Sequence, residues 1–341
     1  MKKNLPLLTL VLLFTAATSF AQDNAGQYMD AIGKQQENVS KKYLIYTSAS
    51  AHGKREKKVE ALRAKLMDEI QESRENISGM GSFNGDKSYR DTAVNFMKFY
   101  YNVMNDDYSK IINMEEIAEQ SYDDMSAYLL TEEKVEQKLA ESNASMQAAQ
   151  KSFAAKNNII ITEDKSELGG MMKEVGELNK YYHRVYLVFF KPFIQEKHML
   201  EAMGKTNLTG MEQSKNAMLK YAQEGLVELA SIQSYKGDNS LAGACKQMLN
   251  FYVKEADKST VLNDYFLSKE RFEKMKADMD KKGDRTKDDV NAYNKAVNEI
   301  NKASQTYNNT IKEENDRRNE DFNNWNSAIK TYFDEHTPHY K

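Results

Sequence analysis

Residues 59–100 of the chain lie on residues 211–252 at a constant offset of 152, without a gap. Ser82-Phe83-Asn84-Gly85-Asp86-Lys87-Ser88 falls on Ser234-Tyr235-Lys236-Gly237-Asp238-Asn239-Ser240, and Phe99-Tyr100 falls on Phe251-Tyr252. Gln71-Glu72 falls on Gln223-Glu224, and Glu60 on Glu212. Nine of the 42 aligned positions are identical, and the apolar ones match in kind: Val59 with Met211, Leu66 with Met218, Ile77 with Leu229, Phe96 with Met248 and Met97 with Leu249. Helical periodicity alone produces matching apolar positions, but it does not produce shared polar residues in a loop. The chain therefore reads as an internal duplication. A period of this length is well beyond the ~20–50 residues of a solenoid repeat, so each half has to close a core of its own.

The halves are built from helices. Val59, Leu62, Leu66, Ile70 and Ile77 form one apolar stripe, and Val135, Leu139, Met146 and Phe153 another. Tyr182, Tyr186, Phe189, Phe193 and Leu200 form a third. Val290, Tyr293, Val297, Ile300, Ser304, Tyr307 and Ile311 step by three and four along a long seam of coiled-coil type. Thr209 with Glu212, Thr286 with Asp289 and Ser88 with Asp91 have capping-box spacing, which starts helices. Only Ile159-Ile160-Ile161-Thr162 suggests a strand, or equally a linker against a core. The expected fold is all-α, with two tandem up-and-down helical bundles at residues 22–163 and 164–341. The second bundle carries an extended C-terminal helix. Its seam turns polar around Glu314 to Glu320, a stretch expected to project and, with the rest of Val290 to Phe333, to offer a partner surface.

Met1 to Ala21 has the form of a secretory leader: Lys2 and Lys3, the apolar run Leu5 to Phe20, then Ser19-Phe20-Ala21 before a cleavage expected at Gln22. No cysteine follows that run, which argues against a lipoprotein. No later stretch has the ~20 apolar residues of a membrane span. Export to the periplasm, the cell surface or the medium is expected. The net charge of -3 argues against nucleic acid as a partner. The single cysteine excludes an intramolecular disulfide and a cysteine-based zinc site.

Candidate sites are few. The loops of Gly85, Asp86 and Ser88 and of Gly237, Asp238 and Ser240 read as capped turns, with anion or calcium binding as the alternative. His198 and Glu201, three apart, share a helix face and suit a metal or a base with its orienter. Tyr181 to Phe193 holds six aromatic residues in 13, a core or a cofactor slot. Pro192 within it predicts a kink or a helix restart, and with His183 nearby it marks the place to look for a pocket. Asp334, His336 and His339 could hold a metal near the C-terminus. No Glu-x-x-His step, nucleophile elbow, phosphate loop or zincin motif occurs, so no reaction and no cofactor is indicated.

His198 and Glu201, in a duplicated helical chain, resemble the Gly-x-His-x-x-Glu motif of the imelysin-like exported proteins, although Glu196 stands where that motif has glycine. The leader ending in Ser-Phe-Ala-Gln and the Asn-, Lys- and Tyr-rich composition make the mature chain similar to exported all-helical, surface-type proteins of Bacteroidota. That second resemblance implies no activity. The function expected is a non-enzymatic binding or scaffolding protein of the bacterial envelope, with an envelope or extracellular protein as partner. The alternative, which the imelysin-like resemblance implies, is a periplasmic ligand- or metal-binding protein with its site at His183, Pro192, His198 and Glu201.

Overall fold

The computed structural model describes residues 15–18, 23–107, 122–163 and 167–341. Apart from Thr15–Thr18, the expected leader Met1–Ala21 lies outside them. The fold is all-α. In chain order the α-helices are α1 (Asp23–Ala51), α2 (Glu56–Ser78), α3 (Ser88–Asn102), α4 (Tyr122–Lys156), α5 (Glu167–Gly204), α6 (Leu208–Ser231), α7 (Ser240–Lys281) and α8 (Lys287–His336). A π-helical turn, Val103–Asp107, follows α3. The segment expected as strand or linker is a strand, Ile160–Glu163, paired antiparallel with Thr15–Thr18.

The chain divides into two compact units, one of residues 1–183 with 330–341, the other of residues 184–329. The tandem division expected at residue 163 differs from this, because α5 and α8 each contribute to both units. In the first unit α1 packs on α2, α2 on α3 and α3 on α4, the neighbour-on-neighbour order of an up-and-down bundle. The stripes read from sequence point inward. Val59, Leu66, Ile70 and Ile77 of α2 are buried, as are Val135, Leu139, Met146 and Phe153 of α4. Phe153 gathers Tyr28, Phe83 and Tyr89 around it, with ring centroids 5.3–5.5 Å away.

The second unit repeats the α2–loop–α3 pattern in α6 and α7. The starts of α6 and α7 fall 152 residues after those of α2 and α3. Buried positions coincide at the same offset, from Val59 and Met211 through Ala93 and Cys245 to Tyr100 and Tyr252. The loops share a backbone as well. Phe83 bridges Asp86, and Tyr235 bridges Asp238, around two central residues at positive φ. Those residues are Asn84 (49°) and Gly85 (84°) in one loop, and Lys236 (50°) and Gly237 (87°) in the other. This is a two-residue turn of the type I′ kind, in which glycine accepts the left-handed backbone without strain.

The loop serines do not cap their helices through the hydroxyl. Instead the N–H of Ser88 donates to Asp86 Oδ1 (2.8 Å), and that of Ser240 to Asp238 Oδ1 (2.7 Å). Asp91 is taken by Arg90. Thr209 lies inside α6, whose cap is Asn207, accepting from the Gly210 N–H at 3.0 Å. Thr286 and Asp289 do form the expected capping box: the Thr286 N–H reaches Asp289 Oδ2 at 3.0 Å, and the Asp289 N–H reaches Thr286 Oγ1 at 3.1 Å.

Before the loops, α1 and α5 correspond at an offset of 153, because the link from α1 to α2 is one residue longer. Lys54 N–H bonds Ala49 O (3.1 Å) where Asn207 N–H bonds Ala202 O (2.9 Å). Buried positions of α1 then fall on buried positions of α5: Ile32 on Val185, Gln36 on Phe189, Val39 on Pro192, Tyr43 on Glu196, Tyr46 on Met199 and Ala49 on Ala202.

Candidate functional site

The four residues singled out on α5 do not gather. From His183 to Glu201 the helix rises ~27 Å at 1.5 Å per residue, and α5 runs as one element through Pro192. The helix restart expected there is not found. Pro192 is buried, Glu201 is exposed, and His198 is half-buried. Burial pushes the His183 imidazole down to about 4, which keeps it uncharged at neutral pH. Neither described cavity is lined by any of the four. The aromatic run is core, with Phe189 and Phe190 buried and the Phe189 ring 4.6 Å from that of Trp325. Asp334 and His339 of the C-terminal cluster meet His52: its Nδ1 lies 3.0 Å from Asp334 Oδ1, and its ring stacks 3.8 Å from that of His339.

In the first loop, Asp86 is engaged rather than open to a cation. Lys156 lies 2.8 Å from its Oδ2 and holds the carboxyl well below the usual carboxylate range. In the second, Ser240 Oγ donates to Asp238 Oδ2 at 2.9 Å. Both loops act as turns that start a helix.

The densest chemistry lies in the second unit, where α5, α7 and α8 meet. Glu196 of α5 and Glu255 of α7 are 2% and 3% exposed. Arg318 of α8 joins them, donating from Nε to Glu196 Oε1 and from Nη2 to Glu255 Oε1. The third guanidinium nitrogen donates to Asn315 Oδ1, and the cation sits 5.8 Å from the ring centre of Phe251. One turn on either side the pattern continues. Lys258 donates to Glu314 at 2.6 Å, and Gln247 to the buried Asp321 at 2.6 Å. Arg317 also donates to Asp321, at 3.1 Å.

The polar stretch around Glu314 to Glu320 therefore does not project. Glu314 and Arg318 within it face inward while their neighbours stay exposed, and Asp321, Trp325 and Ile329 continue that inward line. What lies outside is the preceding segment. From residue 267 to residue 313 no residue is buried. There the end of α7 and the start of α8 form a helical hairpin, with Tyr265 stacked on Tyr307 (4.4 Å) and Phe272 near Tyr293 (5.8 Å).

Burial raises the pKa of Glu255 to about 9, helped by the neighbouring Glu196 charge and opposed by Arg318. Glu196 is raised by burial too, against the pull of Arg318. Two buried carboxyls facing one guanidinium hold one negative charge too many, and the proton on Glu255 removes it at neutral pH. The Glu255 and Glu196 carboxyls also hydrogen-bond each other. Glu255 borders a cavity of about 60 Å³, walled by Met199, Leu200, Met203, Leu262 and Ile311, with Ser259, Lys258 and Glu314 at its polar side. A larger open groove of about 490 Å³ runs between Glu167, Leu168 and Met171 and the last three residues of the chain.

Cys245, the single cysteine, packs as a small core residue. Its thiol points at Val185 O (3.7 Å), and burial pushes its pKa well up. Among the described residues no helix is long and apolar enough to cross a membrane. Comparison of the chain with protein-family profiles, with curated proteins and with solved structures finds no match in any of the three.

Proposed function

We propose that the chain is an exported, non-enzymatic helical binding or scaffolding protein of the bacterial cell envelope, built from a duplicated helical unit, and that it holds a protein partner along the hairpin of residues 267–313. The observation that carries this reading is the hairpin's surface. Across 47 consecutive residues nothing is buried, yet Leu267, Met275 and Val290 stay 40%, 36% and 41% exposed. Two aromatic contacts and the Lys282–Asp289 hydrogen bond hold the pair of helices in register without a core to lean on. Lys and Arg outnumber Asp and Glu by 11 to 9 in this segment, whereas the whole chain is net negative, which suits an acidic partner. Export rests on the basic start, apolar run and small residues of Met1 to Ala21, and on nothing in the fold.

The test is site-specific photo-crosslinking in the native host. A crosslinker at position 275 or 290 is expected to trap one protein species. The same group at Val227, an exposed apolar residue on α6, is expected to trap none. Equal trapping at all three positions overturns the assignment of the hairpin. Fractionation and N-terminal sequencing test export: a mature chain beginning at Gln22 outside the cytoplasm supports it, and an intact Met1 on cytoplasmic protein removes it.

A further inference from the structure

The C-terminal tail closes against the end of α1 through two stacked imidazoles, and the contact lies wholly within the first unit. The rings of His52 and His339 are 3.8 Å apart between centroids and 11° from parallel. His52 Nδ1 lies 3.0 Å from Asp334 Oδ1, and a carboxylate only accepts, so the neutral ring carries its hydrogen on Nδ1. His52 Nε2 is buried and has no hydrogen-bond partner among the described residues. Beside the stack, the Tyr340 N–H donates to Ser48 Oγ (3.2 Å) and Thr337 is buried, so the tail is docked along its length.

This arrangement accepts neutral imidazoles and resists charged ones, for two reasons. A proton on His52 Nε2 creates a buried N–H donor with nothing to accept it, which costs free energy. A proton on each ring sets two positive charges 3.8 Å apart, and the single carboxylate of Asp334 offsets only one of them. The bond to His52 holds the Asp334 carboxyl below its ordinary value, so that offset persists in mild acid. The other charged groups around the pair are Lys330 from α8, Lys41 from α1 beside Tyr340, and Glu167 from α5 with Lys341 along the adjoining groove. Lys54 and Arg55 follow His52 in the link to α2, and Glu335 and His336 end α8 just before the tail.

We propose that the stacked pair is an acid-sensitive latch for the C-terminal tail: neutral imidazoles hold residues 337–341 against α1, and protonation of the pair frees them between about pH 7 and about pH 5. The freed tail binds more protons than the docked one, so docking weakens as pH falls. His339, Tyr340 and Lys341 form one wall of the open groove against Glu167, Leu168 and Met171, so release takes that wall away. The latch depends on neither the hairpin nor export.

The experiment follows a thiol placed at Thr337 in the full chain, with the native thiol removed (C245A/T337C). Its labelling rate with a dithiodipyridine reagent, divided by that of N-acetylcysteine at the same pH, is read from about pH 7.5 to about pH 5. A rise of at least tenfold is the expected result. H339F in the same background keeps a flat ring on His52 and takes up no proton, and its normalised rate is expected to stay level. D334N keeps an acceptor for His52 and removes the offsetting charge, so its tail is expected to be released at higher pH. Thermal unfolding at both ends of the range confirms that each variant is folded. A level rate in the C245A/T337C chain, an equal rise in H339F, or release at lower pH in D334N would each overturn the proposal. So would a Cys245 labelling rate in the wild-type chain that rises in step, since the whole fold would then be opening and not the tail.

Discussion

The two units solve the same packing problem with different chemistry. In the first, Tyr43 of α1 and Val103, which opens the π-helical turn after α3, are both buried and apolar in their packing. In the second, the corresponding positions are Glu196 and Glu255, joined by Arg318. The loops, helix starts and remaining core positions follow the same plan, so the plan itself does not require charge there. Burying a carboxylate–guanidinium–carboxylate triad is rarely a route to stability, because desolvation offsets most of the attraction. A charged core where an apolar one suffices points to a role other than holding the fold together.

That comparison can be broken most directly at the triad. Arg318→Met leaves two buried carboxyls without their cation, and it is expected to cost ~3–5 kcal/mol in chemical denaturation. The triple change Glu196→Leu, Glu255→Leu, Arg318→Met restores the apolar solution of the first unit, and it is expected to unfold within about 1 kcal/mol of the parent or above it. A triple variant as unstable as the single one would show that the second unit depends on its charges.

A pH series sharpens the same contrast. The folded pKa of Glu255 is raised from its ordinary value of 4.5 to about 9, so the folded chain binds a proton more tightly than the unfolded chain. The contribution is complete below about 4.5 and is lost as pH rises to about 9. The denaturation midpoint is therefore expected to fall between pH 5 and pH 9. Glu255→Gln, which cannot titrate, should flatten that slope. A wild-type slope retained in Glu255→Gln would assign the dependence to other groups.

Where the units agree, paired variants should agree too. Gly85→Ala and Gly237→Ala each place a side chain at positive φ with open space around it, so only the backbone penalty of about 1–2 kcal/mol applies. The two losses are expected to match. A large difference would mean that one loop carries load that the other does not. The smallest effect is at the caps. Asn207 caps α6 through its side chain, while Arg55 at the start of α2 makes no such bond. Asn207→Ala should cost ~1 kcal/mol, and Arg55→Ala close to nothing.

Much of the fold was readable from the chain because it is written in local patterns. The stripes of α2 and α4, the Thr286–Asp289 box and the paired turns all involve residues within a few positions of each other. The position of the polar stretch of α8 was not readable. Glu314 and Asp321 interrupt an apolar seam in the same way whether the helix leaves the bundle or meets a partner within it. Their partners Lys258 and Gln247 lie 56 and 74 residues away in the chain. The spread of the four candidate residues along α5 was not readable for a related reason. His183, Pro192, His198 and Glu201 are close in sequence, but a straight helix spreads them out. Glu196, noted only as the residue standing at a motif's glycine, turned out to be the buried member. The clue available in advance was the repeat itself. Carried back through the one-residue difference between the links, it sets Glu196 against Tyr43 and Glu255 against Val103.

Cys245 gives the second unit a clock. The chain contains no other thiol, and this one is shut in the core with its proton firmly held. A thiol reagent added under native conditions can react only with molecules whose second unit has opened. If reclosing is fast, the labelling rate is proportional to the opened fraction. The labelling rate then ranks the variants of the second unit described above by what they do around Cys245, without denaturant.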